Sequence, residues 1–228
     1  MISTKYKNIY ETFINHYKNT HVNPWHEIKE EELISIYNNL IKSMDVTDDY
    51  TFNYLMNYII KKLSGLTDAH TGYDDWEFLP LLFRVFANDV YISWPDELKG
   101  SKVITINDIP IENILKELES VITYGTEGQK IHQYEKSLFN AKKLFGLPSL
   151  REASSLTFEI CKKNQFIERI TYEKKGKYER PPFNGYWNNN ATYEVKGNTL
   201  IYNHFTVQKQ FKEKIEESIL HLEKEDLS

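Results

Sequence analysis

Leu66-Thr67-Asp68-Ala69-His70-Thr71-Gly72-Tyr73 is the stretch on which the reading of this chain turns. Helical periodicity runs up to Gly65 before it, and strand-like alternation begins after it. An imidazole held in a short polar turn between a helix and a sheet is placed where chemistry can be offered to a cleft. A lone loop histidine is more often a surface or capping residue, so its meaning depends on what flanks it.

Working backward from Gly65, Phe52, Leu55, Met56, Ile59 and Leu63 recur at helical spacing. Asp48 stands where an N-cap belongs and Gly65 where a helix stops. Leu33, Ile36, Tyr37, Leu40, Ile41 and Met44 predict a preceding helix that begins near Trp25 or His26. Glu27, Glu30, Glu31 and Glu32 suit its first turns through the helix dipole. Tyr6, Ile9, Tyr10, Phe13, Ile14 and Tyr17 predict a first helix over 4–19. Three amphipathic helices on short linkers pack as an antiparallel bundle.

Working forward, residues 78–86 are apolar and 90–94 alternate, with Asn88-Asp89 as the hairpin turn. Leu98-Lys99-Gly100 turns into a strand over 102–106. Asn107-Asp108 turns again, and a helix follows through Ile114, Leu115 and Leu118. Beyond Gly125 and Gly128 a helix is predicted over 129–145. Strands over 156–160 and 166–172 form a hairpin, and 173–190 reads as a long loop packed over the sheet by its own rings. A second hairpin, 192–195 with 199–202, flanks Gly197-Asn198. A last helix is predicted over 208–224, with Phe211, Ile215, Ile219 and Leu222 on one face. The expected class is α+β: a three-helix bundle over 1–66, a mixed sheet-and-helix region over 67–176, then loop, hairpin and C-terminal helix over 177–228.

Composition narrows the function classes. The 228 residues are 40% hydrophobic and 27% charged, the balance of a folded chain. A formal charge of −5 gives no general attraction to nucleic acid or anionic lipid, and neither is expected as a partner. No apolar run approaches membrane-spanning length. Cys161 is alone, which rules out an intramolecular disulfide, and its alternating strand context suits a structural thiol. Residues 1–17 carry no run of signal-peptide length, so the expectation is cytoplasmic if the N-terminus is native and exported if a leader was removed.

The central stretch carries a family resemblance. Leu63-Ser64-Gly65-Leu66-Thr67-Asp68-Ala69-His70-Thr71 is similar to the leucine, aspartate, small residue, histidine, threonine signature of serine peptidases of the C-terminal processing (tail-specific) and tricorn type. Leu79-Pro80, Val90-Tyr91-Ile92 and Leu98-Lys99-Gly100 follow in that family's order. Val103-Ile104-Thr105-Ile106-Asn107-Asp108-Ile109-Pro110 resembles a segment of its PDZ-like region, with Asp108 where the family has glycine. Leu200-Ile201-Tyr202 with Phe205 and Phe211 resembles the start of its catalytic domain.

The resemblance implies peptide-bond hydrolysis, a peptide or protein substrate, and no cofactor. It implies that His70 is the general base for a serine nucleophile; in family members with a serine-lysine dyad the histidine is structural instead. Asp68 would orient the His70 tautomer, and Asp68, Thr71 and Tyr73 are the candidate binding residues. The family's nucleophile lies downstream of the catalytic-domain start, and the expectation is that this chain stops before it. Ser64 sits at a helix end, and Ser149, Ser154 and Ser155 lie in an ordinary loop, none in a Gly-rich elbow. The chain alone is therefore expected to be inactive, with a missing catalytic domain or a second copy of itself as partner.

Two other readings stand beside this one. A PDZ-like module could add a peptide strand at its sheet edge, with residues 98–110 as the candidate region. Asp68, His70, Asp74 and Asp75 have metal-ligand chemistry, but no HExxH or paired-cysteine spacing supports a metal, and none is expected.

Overall fold

The structure is a computed structural model that describes residues 2–65, 73, 75–179 and 181, and the backbone of 192–196 and 199–203. The chain divides into two compact units, Met1–Pro181 and Pro182–Ser228.

In the first unit, helix α1 spans Thr4–Thr20 and buries Tyr6, Tyr10 and Tyr17. Helix α2 spans Glu30–Ser43, with Glu30, Glu31 and Glu32 in its first turn. It starts several residues later than the predicted Trp25 or His26. The backbone of Asn23 accounts for the delay: its N–H donates to His21 Nδ1 at 3.2 Å, and its carbonyl lies 2.8 Å from His26 Nδ1. Ile28 is drawn into the core next to this turn. Helix α3 spans Asp49–Ser64, and the Asp48 carboxylate accepts from the Thr51 N–H at 2.7 Å, as its position predicts. Gly65 ends the helix at φ +55°, a conformation open to glycine at little cost.

The three helices share one core, built from Tyr10, Leu33, Tyr37, Leu55, Met56 and Ile59 among others. The rings of Tyr10 and Tyr37 stack between α1 and α2 at 3.7 Å. Helix α3 is buried almost all the way round. Its apolar stripe faces the bundle, and on its other side Tyr50 and Tyr54 meet Gly146, where a Cβ would come within 2.6 Å of the Tyr50 carbonyl oxygen.

Strands β1 (Leu82–Phe86), β2 (Asp89–Trp94), β3 (Lys102–Ile106) and β4 (Ile109–Pro110) precede helix α4 (Ile111–Glu119). Helices α5 (Glu127–Leu138) and α6 (Ala141–Gly146) lead to β5 (Ser155–Cys161) and β6 (Ile167–Glu173). These strands form one six-stranded antiparallel sheet in the order β1-β2-β3-β5-β6, with β4 paired to β3. Its inner face, including Phe83, Val85, Val103, Ile106, Phe158 and Ile160, is fully buried. Helices α4 and α5 lie against β3 and β1. The class is α+β, as the periodicities predict.

Two local expectations are corrected. The β1–β2 turn is Ala87-Asn88, because Phe86 pairs with Asp89 and Ala87 takes φ +54°. The single helix over 129–145 is two helices, broken at residues 139–140 for a reason that belongs to the candidate site. The Asn107-Asp108 turn is present, with φ of +51° and +62°. The Asn107 side chain bonds Ser155 O at 2.9 Å and Thr157 N at 2.6 Å, fixing the turn to β5.

In the second unit, β7 (Thr192–Lys196) pairs antiparallel with β8 (Thr199–Asn203), from Thr192 opposite Asn203 to Lys196 opposite Thr199. This is the hairpin expected around Gly197-Asn198. The helix predicted over 208–224 lies outside the described residues.

Candidate functional site

Asp68, His70, Thr71 and Asp74 lie outside the described residues, and so does the rest of the stretch over 66–72. The two ends of that stretch are described, and both are fixed. At the entrance, Gly65 N–H bonds Lys61 O at 3.1 Å, and the Glu27 side chain lies where a Cβ on Gly65 would stand.

At the exit, the half-buried ring of Tyr73 meets Phe52 edge-on at 5.9 Å and packs on the helical core. Burial, then the charges of Asp75 and Asp49, raise its hydroxyl above the usual tyrosine range. Residues 75–79 are then bonded, pair by pair, to the link between α5 and α6. Asn140 Nδ2 donates to Asp75 O at 3.2 Å, and Glu77 N donates to Asn140 Oδ1 at 3.4 Å. Ala141 N donates to Glu77 O at 2.6 Å, and Leu79 N to Phe139 O at 2.8 Å.

This is why the predicted helix breaks. Asn140 is fully buried, its side chain also caps α6 through Lys142 N, and its amide serves a segment sixty-odd residues away in sequence. A continuous helix would turn those groups inward to its own ladder. Trp76, Phe78 and Phe139 stack beside the seam at 5.6–5.9 Å, and Lys136 Nζ lies 5.3 Å from the Trp76 ring centroid. Asparagine before Ala-Lys-Lys-Leu was a readable N-cap signal; its long-range partner was not.

Below the exit lies a polar cleft of about 450 Å³, lined by Lys5, Tyr6, Asp49, Tyr50, Glu77 and Lys142 among others. Its charges are mostly paired. Lys142 Nζ meets Asp75 Oδ2 at 2.6 Å and Lys5 Nζ meets Asp49 at 3.1 Å. Tyr6 donates to Asp49 at 2.7 Å, and Tyr50 to Glu77 at 2.9 Å. The Tyr6 bond, with that of Lys5, holds the Asp49 carboxyl below the usual carboxylate range. Burial, then the Glu77 bond, raises Tyr50 well above the tyrosine range. Among the described residues, no group of three or more His, Cys, Asp and Glu side chains could hold a metal ion.

Other sequence candidates have structural roles in view. Ser149 donates to Glu117 Oε2 at 3.0 Å, and Ser64 is wholly buried on α3. His132 is half-buried on α5, and burial, then the Lys136 charge, lowers its pKa. Strand β3, in the region expected to receive a peptide, is paired on both sides by β2 and β5 and offers no edge. Edge strand β1 is occupied differently. Glu135 of α5 accepts from the Val85 N–H at 3.1 Å and from Arg84 Nη1 at 3.0 Å. Among the described residues, no helix is long and apolar enough to cross a membrane.

No family model and no curated protein matches this chain. Among solved structures the chain resembles mature CPAF, a chlamydial serine protease, with a TM-score of 0.46 and 13% identity over 72% of this chain. It resembles mature CPAF complexed with lactacystin with a TM-score of 0.45 and 14% identity over 62% of this chain. The chain spans 30% and 28% of those two chains. A likeness at this level assigns no chemistry to the residues described above.

Proposed function

We propose that this chain is the helical and PDZ-like part of a serine-type endopeptidase of the C-terminal processing or tricorn type, with His70 as its general base. The observation that carries the reading is the signature over residues 63–71, set where α3 ends at Gly65 and shortly before the chain is fixed again by Tyr73 and Asn140. A reacting side chain needs a fixed frame, and the described residues on either side of the stretch, Gly65 and Tyr73, are both held. In this reading the His70 imidazole takes the proton of a serine hydroxyl and returns it to the leaving amine, with Asp68 orienting its tautomer. The serine and its oxyanion donors come from outside these 228 residues, because no serine here stands in a Gly-rich elbow.

Two observations test the proposal. The source reading frame, or the next one downstream, should encode a Gly-rich serine segment. The assembled protein should cleave an unfolded protein substrate, with activity lost in His70→Ala, while the 228-residue chain alone gives no sustained hydrolysis. Full activity of the assembled His70→Ala protein would reject the assignment of the base. The alternative of a PDZ-like peptide-binding module gains nothing from β3, which is interior, or from β1, whose edge Glu135 fills.

A further inference from the structure

A second cleft lies between α1 and α2 and shares no lining residue with the one below Tyr73. It holds about 380 Å³, within the range of small-ligand sites, about 300–1,000 Å³. Tyr10 and Ile14 of α1, Trp25 of the connecting turn, and Leu33, Ile34 and Tyr37 of α2 line it. Tyr10, Leu33 and Tyr37 are buried, while Ile34, the next residue along α2 from Leu33, is 47% exposed.

Tyr37 is the informative residue. It is only 7% exposed, its ring stacks on Tyr10, and among the described residues its hydroxyl has no hydrogen-bond partner. The hydroxyl feels the charge of Glu11, itself a lining residue: burial first, then that carboxylate, raises it above the usual tyrosine range. A buried O–H donor without an acceptor is costly unless something entering the cleft accepts from it.

The charges around the cleft select what can enter. Lys7 Nζ lies 3.7 Å from Glu11, and Lys18 Nζ lies 2.5 Å from Glu30, so each carboxylate already has a cation. A cationic ligand would find no free carboxylate and would bring donors to a hydroxyl that lacks an acceptor. An anionic ligand would supply the acceptor but would meet the field of Glu11. A neutral acceptor meets neither obstacle.

The rings and branched aliphatics of the walls favour a flat aromatic body. A protein partner fits poorly. A stable interface needs about 800 Å² from each side, and the exposed residues bordering the cleft beside Ile34 are Lys7, Glu11, Asn15 and Asn38.

We propose that the cleft between α1 and α2 binds a neutral aromatic molecule bearing a carbonyl oxygen, to which the Tyr37 hydroxyl donates.

The test uses the full 228-residue chain and two uncharged fluorescent probes. Prodan is a dimethylaminonaphthalene with a propionyl carbonyl; the parent dimethylaminonaphthalene has the same rings without it. Fluorescence titration should show a single saturable site for both. Tyr37→Phe should weaken Prodan by about fivefold and leave the parent probe unchanged. The ring and its stack on Tyr10 persist in that variant, so folding should persist too, checked by circular dichroism. Ile34→Glu, at an exposed position, should weaken both probes by at least about tenfold.

Absence of saturable binding overturns the proposal, and so does binding that Ile34→Glu leaves intact, which would put the probes elsewhere. Equal affinity of Prodan for wild type and Tyr37→Phe would mean that the hydroxyl serves water only. Equal loss of both probes in Tyr37→Phe would mean that the residue acts through packing. Either result overturns the donor role. Self-association that excludes the probes, read by sedimentation, would give the cleft to a second copy and also overturn the proposal.

Discussion

Asn140 and Asp75 are joined through a side-chain amide and a main-chain carbonyl at 3.2 Å, across 65 positions of sequence. The bond fixes the chain just beyond the histidine-bearing stretch to the start of α6. Replacing Asn140 by alanine removes this bond, the bond from Glu77 N and the α6 cap together. The expected loss is about 3 kcal/mol, a cap plus buried unsatisfied groups. Urea unfolding monitored by tryptophan fluorescence should show a lower midpoint with an unchanged slope. A midpoint like that of the wild type would mean that the seam carries little weight.

Gly146 approaches Tyr50 backbone rather than a movable side chain. A Cβ there would stand 2.6 Å from Tyr50 O and 3.1 Å from Tyr54 Cβ. Gly146→Ala should therefore cost about 1–3 kcal/mol, as overpacking does, despite alanine's better helix propensity. A more stable Gly146→Ala protein would show that α6 can move away from α3 at no cost.

Glu135 separates two contributions at the β1 edge. Glu135→Gln keeps an oxygen for Val85 N–H and loses only the charge opposite Arg84, whose side chain is 44% exposed; this should cost about 0.5 kcal/mol or less. Glu135→Ala leaves the buried Val85 N–H without its acceptor and should cost about 2 kcal/mol. Thermal unfolding of the two variants should rank them in that order, and equal losses would place the energy in the ion pair.

Asp49 gives the acid limb of stability a specific shape. Its folded-state carboxyl is depressed, by the Tyr6 hydroxyl first and Lys5 next. The stabilisation is therefore complete above the unfolded carboxyl value, near pH 4, and is lost as pH falls through the lower folded value. Tyr6→Phe removes the larger cause. The stability lost between about pH 4 and pH 2 should become smaller in that variant when urea midpoints are compared across the range. An identical acid profile would remove Asp49 from the account.

Local rules carried much of the fold. Asp48 and Gly65 delimit α3 because a cap and a stop act within a few residues, and β3 follows from its alternation between two turns. What the sequence concealed is long-range. Asn140 carries a local N-cap signal, but its bonds to Asp75 and Glu77 leave no mark in the sequence. The start of α2 depends on His21 and His26 meeting the backbone of Asn23 in a turn that no periodicity marks. The β1–β2 turn differs by one residue because the pairing of Phe86 with Asp89, set by the sheet, outweighs the turn preference of Asp89. At the site, Tyr73 and Asp75 are the candidate residues with a described position: Tyr73 is an anchor in the core, and Asp75 is held by Asn140 and Lys142.

Helix α3 serves as an inner wall with load on both sides. Leu55, Met56, Ile59 and Leu63 close the core shared with α1 and α2, while Tyr50 and Tyr54 receive α6. Removing α1 and α2 would not trim an appendage; it would wet the far side of the same helix that supports the sheet region. The first unit should accordingly melt in one cooperative step, with the amides of α3 among the last to exchange.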